Sequence, residues 1–305
     1  MLRSTLIRAG ASPLLRRQVS SNPVAAKVAS RFIAGDTLDE ATTAVEGLNA
    51  RGITAALDFL GENTTDRAEA SQAAASYLAA LDRIAERELD ANVSVKLSAL
   101  GLHLGGDVAV EEASAVFARA DEIGVMVGID MESHVDVDPT LAAVDTLRSR
   151  TSTRGIGVCL QAYLYRTPGD LDQLNRWGVP VRLVKGAYDE PPSVAHPEKR
   201  AVDRAYAELL DPIMAANPYP MIATHDPGLI VRAKRLAHAA GRDRDSFEFQ
   251  LLYGIGRDLQ QQLVAEGYRV RVYVPYGTQW LPYFTRRLAE RPANLSFFLS
   301  SLTRR

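Results

Sequence analysis

From about residue 53 onward, short apolar runs alternate with longer amphipathic ones. The short runs are rich in Val, Ile and Leu. They read ITAALDFLG (53–61), VSVKLSA (93–99), VMVGIDME (125–132), GIGVCLQAY (155–163), VPVRLVKGAY (179–188), MIATHD (221–226), FEFQLLYG (247–254) and RVRVYVPYG (269–277). Near-continuous apolar runs of this length predict strands buried on both faces, as in a parallel sheet. Helical patterns such as RAEASQAAASYLAALDRIAERE and EKRAVDRAYAELLDPIMAA fill the gaps. DTLDEATTAVEGLNA (36–50) predicts a helix ahead of the first strand. Eight strand–helix units in about 250 residues predict an α/β chain folded as a (βα)8 barrel, with an open doubly wound sheet as the alternative.

Each predicted strand ends in polar side chains. Along the chain these are Asp58 and Glu62, Lys96, Asp130 and Glu132, Gln161, Arg182 and Lys185, Thr224 with His225 and Asp226, Gln250, and Tyr273. A barrel places those ends at one mouth. One buried ionisable group there would be an ordinary ion pair. A whole ring of them carries a large desolvation cost that a polar ligand offsets, so the mouth is the expected site.

Composition narrows the choice. The 305 residues are 47% hydrophobic and 24% charged, which fits one large globular domain or two small ones. A net charge of −2 gives no support for a general nucleic-acid binder. The single cysteine, Cys159, lies in an apolar run and reads as a small core residue. No apolar run reaches the ~18 residues of a membrane-spanning helix. Residues 1–35 contain no Asp or Glu and are rich in Arg, Ser and Ala, the composition of a mitochondrial transit peptide. A basic helix that caps the fold or touches an anionic membrane is the preferred reading, because the rest of the chain is heavy in Ala, Val and Arg, as in GC-rich bacterial genomes. The expected organisation is thus a basic helical segment over 1–35 and one barrel domain over 36–305.

At 283–290 the chain reads YFTRRLAE. On a helix, Tyr283, Arg286, Arg287 and Glu290 share one polar stripe, with Leu281, Phe284 and Leu288 opposite. Two guanidiniums on one stripe can grip a carboxylate. From the stripe alone, a solvated ion pair with Glu290 is the plainer reading.

Ligand motifs are sparse. Lys185 and Gly186 of RLVKGAY can present a cation and backbone N–H groups to an anion. YGIGRD lacks the third glycine of a dinucleotide fingerprint, and no phosphate-binding P-loop exists. His103, His134, His196, His225 and His238 show no metal-ligand spacing, so no metal is expected.

Six motifs together, VSVKLSA, IDME, VRLVKGAY, ATH, FEFQLLYGIG and VYVPYG with YFTRRLAERPAN, resemble the proline dehydrogenase family in the family's order. The resemblance runs over about residues 36–300. It is to the monofunctional bacterial type and to the dehydrogenase domain of bifunctional proline utilisation flavoproteins. It implies a distorted (βα)8 barrel with N-terminal helices, its last helix over the mouth and non-covalent FAD at the strand ends. The implied reaction is hydride transfer from C5 of L-proline to flavin N5, giving Δ1-pyrroline-5-carboxylate, with electrons passed to a membrane quinone. A downstream pyrroline-5-carboxylate dehydrogenase is an implied partner. Bacterial cytoplasm, with peripheral attachment to the membrane's inner face, is the implied location, or mitochondria in a eukaryote.

The resemblance also assigns residues. Lys96, Arg286 and Arg287 would bind the substrate carboxylate, and Tyr273 and Tyr283 would pack on its ring. Asp130 would fix Lys96 beneath the flavin, and Arg182 would lie beside the flavin ring. Met131, Gln161, Lys185, Gly186, Ala187, Thr224, His225, Gln250 and Leu252 would contact FAD. Ring closure puts the loop after strand one beside the last helix, so Glu62 is expected to reach Arg286 as a gate. Two departures are visible: the connection GTQWLPYFTRR is short, and Asp189 stands where the family often has Trp. The rival readings are a Schiff-base aldolase using Lys96 or Lys185, and an inactive barrel that only binds an amino acid.

Overall fold

A computed structural model of the chain describes residues 29–151 and 155–290, and for 288–290 the backbone alone. Most of the predicted basic segment therefore lies outside the described residues. So does the expected pairing of Glu290.

The elements are α1 (Leu38–Asn49), β1 (Thr54–Phe59), α2 (Arg67–Glu86), β2 (Ala91–Val95), α3 (Gly106–Glu122), β3 (Val127–Ile129), α4 (Val137–Arg148), β4 (Ile156–Gln161) and α5 (Thr167–Trp177). They continue with β5 (Val181–Val184), α6 (Lys199–Ala216), β6 (Pro220–Ala223), α7 (Pro227–Ala239), β7 (Glu248–Leu252), α8 (Arg257–Ala265), β8 (Arg269–Tyr276) and α9 (Leu281–Glu290). The strands close a parallel barrel in chain order, with Ala56 of β1 opposite Tyr273 of β8. The barrel is thus the architecture, and the open sheet is excluded. The strands are shorter than the apolar runs, so Lys96, Asp130, Thr224 and His225 sit just beyond them.

Side chains alternate along each strand. Outward positions such as Leu57, Val93, Val127, Val158, Leu183, Phe249 and Val272 join the helices in one buried apolar core. Inward positions are mostly polar, charged or small, among them Asp58, Asn92, Ser94, Gly128, Gly157, Arg182, Gln250 and Arg271, with Met221 an apolar exception. They form two layers along the axis. In the lower layer Arg271 bonds Glu248 through Nε at 2.8 Å and Nη2 at 3.1 Å, and reaches Ala55 O and Asn92. Gln250 also donates to Glu248 there, at 2.6 Å. The upper layer is the mouth.

The helices start where local chemistry allows. Thr37 and Glu40 form a reciprocal cap on α1. Asp226 caps α7, and Pro227 supplies its first turn. Helix α1 packs against β1 and β8 from outside. Helix α9 takes no place in that outer wall. It lies with Leu60, Trp280, Ala29 and Ile33 in a second apolar cluster, against which Phe32 and Tyr273 pack. Residues 29–35 strap across the ends of β7 and β8. Ala34 N donates to Pro275 O at 2.8 Å, and Gly277 N to Gly35 O at 3.0 Å. Gly254 lets the strap pass, since the Arg31 carbonyl lies 1.6 Å from where a Cβ would stand. Among the described residues no helix is long and apolar enough to cross a membrane.

Candidate active site

The strand ends converge on one charged cluster. Arg182 of β5 donates to Asp130 Oδ1 and, at 3.1 Å, to the Ser94 hydroxyl. Ser94 also donates to Asp130 Oδ1 at 2.8 Å. The Tyr273 hydroxyl donates to Asp130 Oδ2 at 2.6 Å. Lys96 Nζ lies 3.3 Å from the same Oδ2 and donates to Asp58 Oδ1. Lys96 therefore has two carboxylate partners, and the sequence expectation named only Asp130. Arg182 also lies over the Tyr273 ring, 5.5 Å from its centre.

These partners fix the charges. Burial works to raise the Asp130 pKa, but Arg182, Lys96 and the Tyr273 and Ser94 donors outweigh it and hold it at about 2. Burial opposes the Lys96 ammonium, yet Asp58, Tyr273 and Asp130 raise its pKa well above the usual lysine value. Glu132 accepts from Ser98 N at 3.0 Å and Ser98 Oγ at 2.6 Å, and burial pushes it up to about 7.

Helix α9 roofs the mouth. Tyr283, Phe284, Thr285 and Arg286 are all buried, Arg286 being 8% exposed. That overturns the wet-face reading of the stripe. Arg286 donates to both oxygens of Glu62, at 3.0 and 3.2 Å, and lies 5.2 Å over the Tyr188 ring. Arg287 lies 5.3 Å over the Tyr283 ring. Glu62, Lys96, Tyr283 and Arg286 line one cavity between β1, β2 and α9. Two cations far apart in the sequence thus line one space.

The remaining predicted residues ring the ends of β3 to β7. Met131 and Thr224 are buried, while Lys185, Gly186, Ala187, His225 and Leu252 are half-buried. Gln161 donates to Glu132 O at 2.8 Å, and His225 Nε2 accepts from Leu252 N at 3.2 Å. Gly186 has φ +113, and a Cβ there would stand 2.3 Å from the Tyr163 ring. Only glycine lets the backbone come this close. Lys185 is not a bare cation, because Asp203 and Asp226 (3.0 Å) both pair with it. Gln250 turns its amide nitrogen down the axis toward Glu248. Among the described residues no group of three or more His, Cys, Asp or Glu is placed to hold a metal.

Asp58, Ser94, Glu132 and Tyr188 also belong to this cluster; the sequence put Asp58 and Glu132 at the mouth without a specific role and did not single out Ser94 or Tyr188. Ser94 was findable, since it precedes Lys96 by two and so shares its face.

Residues 41–300 match the family model for proline dehydrogenase. The proline dehydrogenase of Deinococcus radiodurans is 41% identical over 278 residues, covering 90% of each chain. Proline dehydrogenase 1 of Bacillus subtilis is 39% identical over 277 residues, covering 91% of each. The structure of proline utilization A from Bdellovibrio bacteriovorus, inactivated by N-propargylglycine, superposes with a TM-score of 0.82 at 25% identity. That likeness covers 92% of this chain and 34% of the larger protein. By sequence and by fold, the chain belongs to the proline dehydrogenase family of oxidoreductases.

Proposed function

We propose that the chain oxidises L-proline to Δ1-pyrroline-5-carboxylate with FAD as its cofactor and a membrane quinone as the final electron acceptor. The observation that supports this most is the cavity where Lys96 and Arg286 meet beneath α9. Proline carries a carboxylate and an apolar ring. Lys96, Arg286 and Arg287 bind the carboxylate, and Tyr273 and Tyr283 flank the ring. Glu62 closes the mouth by pairing with Arg286 and so keeps water from the reacting carbon.

The donors at the ends of β3 to β7 fit a polar, anionic, ring-bearing group. Gly186, with no side chain of its own, lets the backbone of that loop pack directly on the Tyr163 ring. Met131, Gln161, Arg182, Lys185, Gly186, Ala187, Thr224, His225, Gln250 and Leu252 would hold FAD. Once bound, FAD supplies the hydride acceptor at N5. Arg182, fixed by Asp130 and Ser94, supplies a positive charge that stabilises an anionic reduced cofactor. Lys185 donates to Asp203 and Asp226 and would offer phosphate its third N–H. The product is a cyclic imine, which a pyrroline-5-carboxylate dehydrogenase would consume.

Anaerobic addition of proline to the purified protein tests this reading. The protein should be yellow and its flavin absorbance should bleach. A colourless protein that borohydride links to a carbonyl substrate would indicate an aldolase.

A further inference from the structure

One buried carboxylate at the mouth has no task in the reading above. Asp58 ends the inward face of β1 and has no solvent exposure. Its Oδ1 accepts from Lys96, and its Oδ2 has no hydrogen-bond partner. The neighbouring Tyr273 hydroxyl has one proton, and it goes to Asp130. A buried carboxylate oxygen without a donor is costly, and such an atom at a reaction centre calls for a reason.

The reaction offers one. A secondary ammonium must lose a proton before its nitrogen can form a C=N bond. Asp130 is a poor acceptor, since Arg182, Ser94 and Tyr273 occupy both its oxygens. Arg286 takes both oxygens of Glu62. Ser98 takes both oxygens of Glu132. Asp58 alone joins an open oxygen to a direct bond with Lys96, which lines the substrate cavity.

We propose that Asp58 is the terminal acceptor of the substrate's amine proton, with Lys96 as the relay between them. The proposal rests on the proline-oxidising reading. The substrate N–H bond breaks and its electron pair stays on nitrogen. Lys96 Nζ first passes one of its own protons to the Asp58 carboxylate, and the lone pair this frees on Nζ then takes the substrate's proton. Lys96 remains an ammonium and Asp58 becomes a neutral acid. The nitrogen pair then forms the C=N bond as hydride leaves C5 for the cofactor. Asp58 acts through Lys96 and does not touch the substrate.

The charges around it agree. The groups facing Asp58 are Lys96 beyond β2, Asp130 beyond β3, Tyr273 and Tyr276 on β8, and Tyr77 on α2. Burial raises all three tyrosines, and Asp130 is held at about 2. Burial pushes Asp58 up to about 6 against the pull of Lys96. Within this set, Asp58 is the group that changes charge near neutrality.

Asp58→Asn separates proton acceptance from mere support, because an asparagine oxygen still accepts from Lys96. Anaerobic single-turnover reduction by proline should slow by about 10²–10⁴-fold, the usual contribution of a positioned proton acceptor. The acid limb of its pH profile should vanish. The dissociation constant for tetrahydrofuran-2-carboxylate, proline's ring-oxygen analogue with no amine proton, should not change. Glu132→Gln should keep the acid limb. Overturning results are a retained limb at wild-type rate in Asp58→Asn, or a limb lost in Glu132→Gln instead. If the asparagine variant does not fold, Asp58→Glu should shift the limb, and a limb left at the wild-type pH overturns the proposal. Wild-type protein that proline does not reduce would defeat the functional reading instead.

Discussion

Glu62 and Arg286 face each other through two parallel hydrogen bonds, at 3.0 and 3.2 Å, that tie the first loop of the barrel to its last helix. If this pair closes the mouth, Glu62→Ala should weaken proline binding and slow flavin reduction, with flavin content unchanged. Replacing Arg286 or Arg287 with Met should cost about 2–5 kcal/mol of proline binding, the scale for truncating a desolvated charge pair. The double variant should cost less than the sum, because both arginines grip one carboxylate. Titration with proline under anaerobic conditions reads all four. Near-normal affinity in Arg287→Met would remove the clamp, and normal kinetics in Glu62→Ala the gate alone.

Arg182 and the arginine pair should separate kinetically. Arg182→Met should leave the proline dissociation constant close to normal and reduce the rate of flavin reduction. Stopped-flow traces over a range of proline concentrations give both numbers. A large loss of affinity with normal reduction would reassign Arg182 to the substrate.

The lower layer of the barrel should matter for stability and not for binding. Arg271 and Glu248 are both buried, and each is the other's main partner. Arg271→Met leaves Glu248 buried with a net charge, which costs about 3–5 kcal/mol. Urea denaturation should show the loss, and the folded fraction should bind proline normally. Unchanged stability would mean that water or relaxation already screens the pair.

Glu132 should set part of the pH dependence of stability. Its folded pKa of about 7 lies above the model-peptide value of 4.5. The folded state therefore holds this proton more tightly than the unfolded chain. The associated stability is fully present below about 4.5 and is lost as pH rises through about 7. Glu132→Gln should flatten this fall by up to about 3 kcal/mol relative to wild type. Parallel stability curves for the two proteins over this pH range would remove Glu132 as the cause.

Gly254 should act on the substrate site from a distance. A methyl group at this position would overlap the Arg31 carbonyl, so Gly254→Ala must move the 29–35 strap. Phe32 on that strap meets Phe284 of α9, with ring centres 6.0 Å apart. Proline affinity should fall while flavin content holds. An unaltered dissociation constant in a folded variant would show that α9 keeps its place without the strap.

The sequence alone narrowed the fold to a barrel or an open parallel sheet, because eight apolar runs separated by amphipathic helices leave few ways to bury both faces of every strand. It also pointed to the strand ends as the candidate site and named residues that the fold brings together there. Polar residues recur at the strand ends, and ring closure makes β1 and β8 neighbours, which is why Glu62 could be matched to Arg286. The motifs around Lys96, Arg182 and Lys185 were legible because they are local strings.

The hydrophobic pattern could not place α9; the family resemblance put it over the mouth, and the tertiary structure shows it there. Periodicity gives the phase of a helix about its own axis and not the placement of that axis. Leu281 and Phe284 on one side and Tyr283 and Arg286 on the other are all buried, a pattern no single apolar stripe predicts. Side-chain pairing was equally hidden. Lys185 meets Asp203 and Asp226, Lys96 meets Asp58, and Arg271 meets Glu248, all across separate strands and helices. Each strand shows its charge in the sequence. Which opposite charge satisfies it depends on distances of a few ångströms across the closed barrel, and those exist only once the ring has formed.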